Sequence, residues 1–162
     1  MRVLLIAFII FYLGIQGVSA QVSQGGRPTK LPPLKYGNIA VIEMPGINKD
    51  FLENQTENRN NTWLKKLRFA HGFDVNISPK KDGRWITAPD GRKIWKVKIR
   101  SAGAFSLGIV FNNFLLPDGA RLFLFNEETN HYLGAFTSYN NKKTGKFAVS
   151  PVAGDEITVQ YE

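Results

Sequence analysis

Two Pro-Asp-Gly turns, each next to a short apolar segment, constrain the fold of this chain more than any other feature. Pro89-Asp90-Gly91-Arg92 separates residues 85–88 from residues 94–100, and Leu116-Pro117-Asp118-Gly119-Ala120 precedes the apolar residues 122–125. Proline presets φ for a turn, and glycine accepts the positive φ that many tight turns require. The pattern predicts short antiparallel strands joined by tight turns, with a β-hairpin around the first turn.

The second strand of that hairpin has two chemically different faces. Because side chains alternate along a strand, residues 94–100 divide into an apolar and a basic set. The apolar set is Trp95, Val97 and Ile99. The basic set is Lys96, Lys98 and Arg100. We expect the apolar face in the core and the basic row on the surface.

Similar apolar segments recur along the second half of the chain. They cover residues 68–77, 105–111, 132–136, 147–149 and 157–161, and Phe105, Leu107, Ile109 and Phe111 are expected to share one core face. Seven or eight short strands with turns between them are typical of sandwiches and jelly rolls. No helical stretch is long enough for a βαβ crossover. We predict an all-β fold, an antiparallel β-sandwich or jelly-roll-like domain over residues 66–162.

Residues 21–65 form a leader of different composition. Residues 21–33 are rich in Gly and Pro and are expected to be extended or disordered. Residues 39–44 are a short apolar patch, predicted to be a strand or a segment that docks on the domain. Residues 48–63 are predicted to form a short helix. The leader is therefore expected to be extended or partly disordered.

Residues 1–20 have the three-part layout of a secretory signal peptide. Arg2 precedes thirteen apolar residues, and Val18-Ser19-Ala20 supplies small residues at the cleavage position before Gln21. A membrane anchor is the alternative, but thirteen helical residues span about 20 Å, against about 30 Å of hydrocarbon. We expect cleavage after Ala20, no stable membrane anchor afterwards, and a secreted or cell-surface location.

Cysteine is absent, which excludes disulfides, Cys-ligated zinc, iron–sulfur clusters and a thiol nucleophile. The two histidines, His71 and His131, provide little material for a metal site, and no cofactor or metal is expected. Three Asn-x-Ser/Thr sequons begin at Asn54, Asn60 and Asn76. In a chain this rich in Asn, we interpret them as random occurrences.

No catalytic set is recognisable. A Ser–His–Asp triad needs a base beside a nucleophile, yet no serine lies in a Gly-x-Ser-x-Gly elbow. In Gly154-Asp155-Glu156, glutamate stands where a trypsin-like nucleophile turn would have serine. Adjacent Glu127 and Glu128 belong to a solvated turn rather than to a carboxylate pair. The residues themselves therefore predict no catalysis by this chain.

The basic row of Lys96, Lys98 and Arg100 is the candidate protein-binding surface. The chain carries 21 Lys and Arg against 13 Asp and Glu, so nucleic acid is the first partner to consider. However, alternation places Trp95 away from the row, and an exported chain rarely meets nucleic acid. A solvated face or an acidic protein surface is the better interpretation. Exposed Trp85 or Trp95 would alternatively stack on sugar rings.

Several motifs resemble a known family. They are Arg68-Phe69-Ala70-His71, Gly83-Arg84-Trp85, residues 91–104 (GRKIWKVKIRSAGA), residues 114–125 (FLLPDGARLFLF), residues 133–137 (LGAFT) and residues 151–159 (PVAGDEITV). This pattern resembles the region between signal peptide and protease domain in bacterial secreted trypsin-like serine endopeptidases of the lysyl-endopeptidase type. The resemblance spans about residues 66–162, and residues 39–51 look like the variable leader of such precursors.

The resemblance implies a non-catalytic pro or accessory region that assists folding, latency or substrate docking. Its implied partner is a downstream protease domain of the same precursor, which would carry the catalytic residues and is not in this chain. The end of the chain at Glu162, directly after a predicted strand, is compatible with a domain from a longer precursor.

Two other functions stay open at this point. One is a free-standing secreted adhesion or carbohydrate-binding module with the same kind of fold. The other, an autonomous hydrolase, has almost no support among the residues. The coding sequence beyond Glu162 separates the first two possibilities, because a trypsin-like domain there favours the precursor and a stop codon favours the module.

Overall fold

A computed structural model describes residues 23–31, 39–46 and 70–162 of the chain. Within these residues it has ten β-strands: β1 Val41–Glu43, β2 Arg84–Thr87, β3 Lys93–Arg100, β4 Ser106–Leu107, β5 Val110–Phe111, β6 Leu122–Asn126, β7 His131–Phe136, β8 Phe147–Ala148, β9 Val152–Ala153 and β10 Glu156–Tyr161. A single 3-10 turn, Ser138–Asn140, is the helical element of this part of the chain. The all-β expectation is confirmed.

Some sequence predictions concern other residues. The signal peptide (1–20) and the short helix (48–63) lie outside the described residues. In the described part of the chain, no helix has the length and apolar character needed to cross a membrane.

Six strands form one large sheet with β3 near its centre. Its order is β1-β3-β10-β6-β7, and β2 pairs with β3 alongside β1. Strand β1 runs parallel to β3, with Val41 opposite Lys98, and this is the strand predicted over residues 39–44. Strand β2 is antiparallel to β3, with Trp85 opposite Trp95. The hairpin predicted from the Pro-Asp-Gly turn is confirmed.

The remaining four strands form a narrow antiparallel ribbon of two short ladders. Strand β4 pairs with β9, and β5 pairs with β8. Between the two ladders, Gly108 alone lies opposite Ser150 and Pro151, which is the geometry of a β-bulge. The bulge explains why the apolar segment 105–111 is divided into two short strands.

The core lies between the ribbon and one face of the large sheet, here called the inner face. It contains Trp95, Val97, Leu122, Leu124, Phe136, Ile157 and Val159 from the sheet, and Phe114, Leu116, Ala120, Phe147, Val149 and Val152 from the ribbon and the loops beside it. Phe147 contacts Phe114 and Phe136, with ring centroids 4.3 and 5.0 Å away. Burial of each large side chain contributes about 1.5–3 kcal/mol to folding.

Two strand predictions are wrong in part. Residues 70–77 form no ladder, and Val75 is exposed. Both edges of β3 are already occupied, by β10 on one side and by β1 and β2 on the other. Phe105, expected on a core face with Leu107, is 97% exposed instead. The strand β4 begins only at Ser106, so alternation does not extend back to Phe105.

Candidate functional site

The predicted basic row lies on the outer face of the large sheet, opposite the core. Lys96, Lys98 and Arg100 alternate along β3 with the buried Trp95 and Val97. The sequence therefore assigned these three residues to the correct face. The face is nevertheless far less uniformly basic than the sequence suggests, because each cation has its own local environment.

Lys98 and Arg100 face acidic side chains of neighbouring strands. Nζ of Lys98 lies 2.6 Å from Oε1 of Glu156, which is two residues from its ladder partner on β10. Arg100 approaches Asp155 at 3.7 Å and Glu43 at 3.9 Å. Such partly exposed pairs contribute about 0–1 kcal/mol each. Much of the positive charge of this end of the row is thus balanced within the domain.

Lys96 lies partly under the surface. Its Nζ is 5.4 Å from the ring centroid of Phe125, which is within cation–π distance. Burial lowers the pKa of Lys96; the carboxylate of Glu127 acts in the opposite direction, and the neighbouring charge of Lys98 lowers it further. Lys96 is therefore a poor contributor to an exposed docking surface, and Arg100 carries the most accessible charge of the row.

A second feature of the outer face is an aromatic cluster next to β10. Phe123, Phe125 and Ala135 are buried, and Tyr132 packs against them. The rings of Phe125 and Tyr132 stack with centroids 5.2 Å apart.

Residues 23–31, here called the strap, lie over this aromatic cluster. The guanidinium of Arg27 is 3.8 Å from the ring centroid of Tyr132. Its Nη1 donates to Oδ1 of Asn130 at 3.2 Å. Sequence reasoning identified the strap only as a Gly- and Pro-rich leader. The described strap residues belong to no helix or strand, and their contacts with residues far along the chain leave no periodic pattern in the sequence.

The first half of the strap is held by the backbone of β7. The amide of Gln24 donates to the carbonyl of Ala135, and the amide of Ala135 donates to the carbonyl of Gly25, both at 2.9 Å. The hydroxyl of Ser23 donates to the carbonyl of Gly134. Gly25 and Gly26 have φ of +71° and +88°, a conformation that favours glycine at both positions.

The second half of the strap is held by the side chain of Glu162, which is 1% exposed. Its Oε1 accepts from the amide of Thr29 at 2.5 Å and from Nε2 of Gln160 at 2.6 Å. Its Oε2 lies 2.6 Å from Arg121 and 3.4 Å from Arg92. Burial alone would raise the pKa of Glu162, but the hydrogen bonds from Thr29 and Gln160 and the charge of Arg121 outweigh it, so the pKa is lowered.

Gln160 is the second buried polar residue beneath the strap. It is fully buried, and its Nε2 also donates to the carbonyl of Thr29 at 3.1 Å. Its Oε1 has no hydrogen-bond partner among the described residues. The sequence does contain a signal for this pair, because Gln160 on β10 and Glu162 directly after it are polar residues at alternate positions.

The residues considered for catalysis have separate local environments. Nδ1 of His131 accepts from the amide of Ala153 at 3.1 Å, while His71 packs edge-on against Phe73. Glu156 faces Lys98, and the exposed Glu127 and Glu128 lie in the turn between β6 and β7. Within residues 23–31, 39–46 and 70–162, no group of three His, Asp or Glu side chains is arranged to hold a metal ion.

The two tryptophans of the hairpin have different environments. Trp95 is buried, and its indole N–H donates to the carbonyl of Asp82 at 2.7 Å. Trp85 is 48% exposed, packs edge-on against Tyr161 and donates to the carbonyl of Pro79 at 2.8 Å. Trp85 is therefore the tryptophan with an accessible ring.

No protein-family model matches this chain, and no solved structure matches it. The functional argument therefore depends on the residues and on the geometry described above.

Proposed function

We propose that this chain is the non-catalytic pro or accessory region of a secreted serine endopeptidase precursor. The observation that carries the proposal is the position of the family-like motifs. Residues 91–104 include β3, residues 114–125 include most of β6, residues 133–137 include the second half of β7, and residues 151–159 include β9 and part of β10. The resemblance thus coincides with the adjacent strands β3, β10, β6 and β7 rather than with scattered turns.

The proposal includes three finer statements. The sheet and the ribbon are the two layers of a β-sandwich, supported by the core that they share. The chain is exported through a signal peptide cleaved after Ala20, supported by its residue pattern. Its partner is a protease domain encoded downstream, and Arg100 at the exposed end of the basic row is the residue best placed to contact it.

The test is to read the coding sequence and then measure association. A trypsin-like domain with a Gly-Asp-Ser-Gly nucleophile turn beyond Glu162 supports the proposal, and a stop codon at that point contradicts it. With that domain supplied in trans, Arg100→Gln is expected to slow association and reduce its salt dependence. Lys146→Gln, an exposed change on a loop of the second layer, is the matched control.

One observation favours an adhesion or carbohydrate-binding module as the second candidate. The half-exposed ring of Trp85 beside Tyr161 provides an aromatic surface of the kind that stacks on sugar rings. Affinity electrophoresis in gels containing soluble polysaccharides tests it. Retardation of the wild-type chain that Trp85→Ala abolishes supports this candidate, and equal mobility of both chains in every gel rejects it.

A further inference from the structure

The contacts of the strap are those by which a protein binds an extended peptide. The backbone N–H and C=O of a single residue, Thr29, are both engaged by side chains: those of Glu162, directly after β10, and of Gln160 on β10. Both side chains are buried, and Glu162 also hydrogen-bonds with the side chain of Thr29. This pair therefore holds the backbone of Thr29, and Glu162 adds a contact to its side-chain hydroxyl.

The other end of the strap hydrogen-bonds to the backbone of β7, at the edge of the large sheet. The amide and carbonyl of Ala135 are both engaged by the strap backbone, at Gly25 and Gln24. Adding a segment to a strand in this way is a common mode of peptide recognition. Between the two backbone-binding ends, Arg27 contributes a side-chain contact, above Tyr132 and next to Asn130. The face thus combines backbone hydrogen bonds at both ends of the strap with side-chain contacts to Arg27 and Thr29.

We propose that the outer face is a peptide-binding groove, and that it accepts the strap of a second copy of this chain in exchange for its own. The side-chain hydrogen bonds that hold the strap join residues 103 to 133 positions apart in the sequence. Such contacts have the same geometry whether the strap belongs to the same copy or to another. Exchange of an identical segment is a low-cost route to a dimer.

The sequence between strap and sheet permits both arrangements. Residues 32–38 separate the strap from Ile39, and seven residues span up to about 25 Å. In a single copy the tethered strap competes at an effective concentration on the order of mM. Binding of a strap from a second copy is therefore expected to be detectable when the contacts of the chain's own strap are weakened or when the protein concentration is high.

The first experiment uses a fluorescent synthetic peptide of residues 21–31 and the full chain produced in an exporting host. The strap-weakened variant Arg27→Ala with Thr29→Pro loses the cation and one backbone donor. We expect this variant to bind the peptide at least about tenfold more tightly than the wild-type chain does, measured by fluorescence anisotropy. Equal binding by both chains, or no binding by the variant at about 1 mM, overturns the groove.

Two further variants establish where the peptide binds. Changing Tyr132 to Leu in the strap-weakened background removes the ring beneath Arg27, and it is expected to weaken peptide binding about two- to thirtyfold. Glu128→Ala, an exposed change in the neighbouring turn, is the matched control. If Tyr132→Leu fails to fold by circular dichroism, Asn130→Ala tests the same contact at an exposed position. Unchanged affinity in the folded variant contradicts the site.

The second experiment tests the second copy as the occupant. Two wild-type chains with different tags are mixed at high concentration and analysed by native mass spectrometry, with and without excess peptide. A mixed dimer that the peptide dissociates supports strap exchange. The absence of a mixed dimer, or a mixed dimer that the peptide leaves intact, overturns the exchange even if the peptide binds the groove.

Discussion

The side-chain amide of Asn141 hydrogen-bonds both backbone groups of Leu116. Its Oδ1 accepts from the Leu116 amide at 2.9 Å, and its Nδ2 donates to the Leu116 carbonyl at 2.8 Å. Leu116 is buried, and the side chain of Asn141 supplies the two backbone hydrogen bonds that a neighbouring strand would otherwise provide. The contact joins the segment before β6 to the loop after the 3-10 turn.

Removing this amide is expected to destabilise the domain. Asn141→Ala leaves a buried amide and a buried carbonyl of Leu116 without partners, which costs about 1–3 kcal/mol. Chemical denaturation measures the loss. Asn113→Ala, at an exposed position, serves as the control. Its free energy of unfolding should stay within about 0.5 kcal/mol of the wild-type value. Equal stabilities for the two variants would show that the amide of Asn141 contributes nothing.

A second prediction concerns Gly154, in the turn between β9 and β10. Its φ is +100°, and an added Cβ would lie 2.4 Å from Nδ2 of Asn126. Asn126 holds the neighbouring turn by accepting from the amides of Glu128 and Thr129 and by donating to the carbonyl of Glu156. Gly154→Ala is therefore expected to strain the backbone, at about 1–3 kcal/mol, and also to displace Asn126.

Gly103→Ala separates these two effects. Gly103 also has a positive φ, +78°, but no atom lies within 4 Å of an added Cβ. Its substitution should cost only the backbone strain. Thermal denaturation measures the stability lost by each variant, and the difference between the two losses is the contribution of the displaced Asn126. If Gly103→Ala lost as much stability as Gly154→Ala, the steric argument would be contradicted.

The third prediction is a pH dependence from Glu162. Because its pKa is lowered from the value of 4.5, ionised Glu162 stabilises the folded chain at all pH values above about 4.5. This contribution is lost as the pH falls below 4.5 and through the lowered value. Glu162→Gln should therefore be less stable than the wild type at about pH 7, and the difference should shrink on acidification.

Urea denaturation at several pH values measures this difference. Glu128→Gln removes the same charge at an exposed position, and it is the control for the general effect of net charge. A Glu162→Gln variant whose stability follows the wild type in parallel at every pH would contradict the assigned role of the buried carboxylate.

The extent to which the sequence predicted this fold depends on how local each interaction is. The hairpin of β2 and β3 could be predicted from its own turn residues. The placement of Trp95 and Lys96 on opposite faces of the sheet could be predicted from alternation along a single strand. Residues 70–77 have similar alternation, yet a strand also needs an edge to pair with, and alternation does not reveal whether one is available.

The candidate site was predicted only in part for the same reason. The sequence placed Lys96, Lys98 and Arg100 on one face, but it did not reveal Glu156 opposite Lys98 or Phe125 beneath Lys96. The sequence did not reveal the contacts of the strap, because its Gly- and Pro-rich residues have no periodic pattern. Its partners on β7 and β10 lie more than 100 positions away in the sequence.

The last prediction follows from the position of Lys96. Because burial lowers its pKa from 10.5, the charged form is less favourable in the folded chain than in the unfolded chain. The penalty applies fully below the lowered pKa and disappears as the pH rises above 10.5. Lys96→Met keeps the apolar stem over Phe125 without the charge, so at neutral pH its stability should equal or exceed that of the wild type.

Lys96→Glu should have the opposite effect. It would place a carboxylate over the negative face of the Phe125 ring, close to the charges of Glu127 and Glu162. We expect a clear loss of stability by urea denaturation, whereas Lys146→Met and Lys146→Glu, at an exposed position, should each change it by less than about 0.5 kcal/mol. If Lys96→Met instead lost more than about 1 kcal/mol, the attraction between Lys96 and Phe125 would outweigh the cost of burying the charge, because an exposed cation–π pair contributes about 0.5–1 kcal/mol.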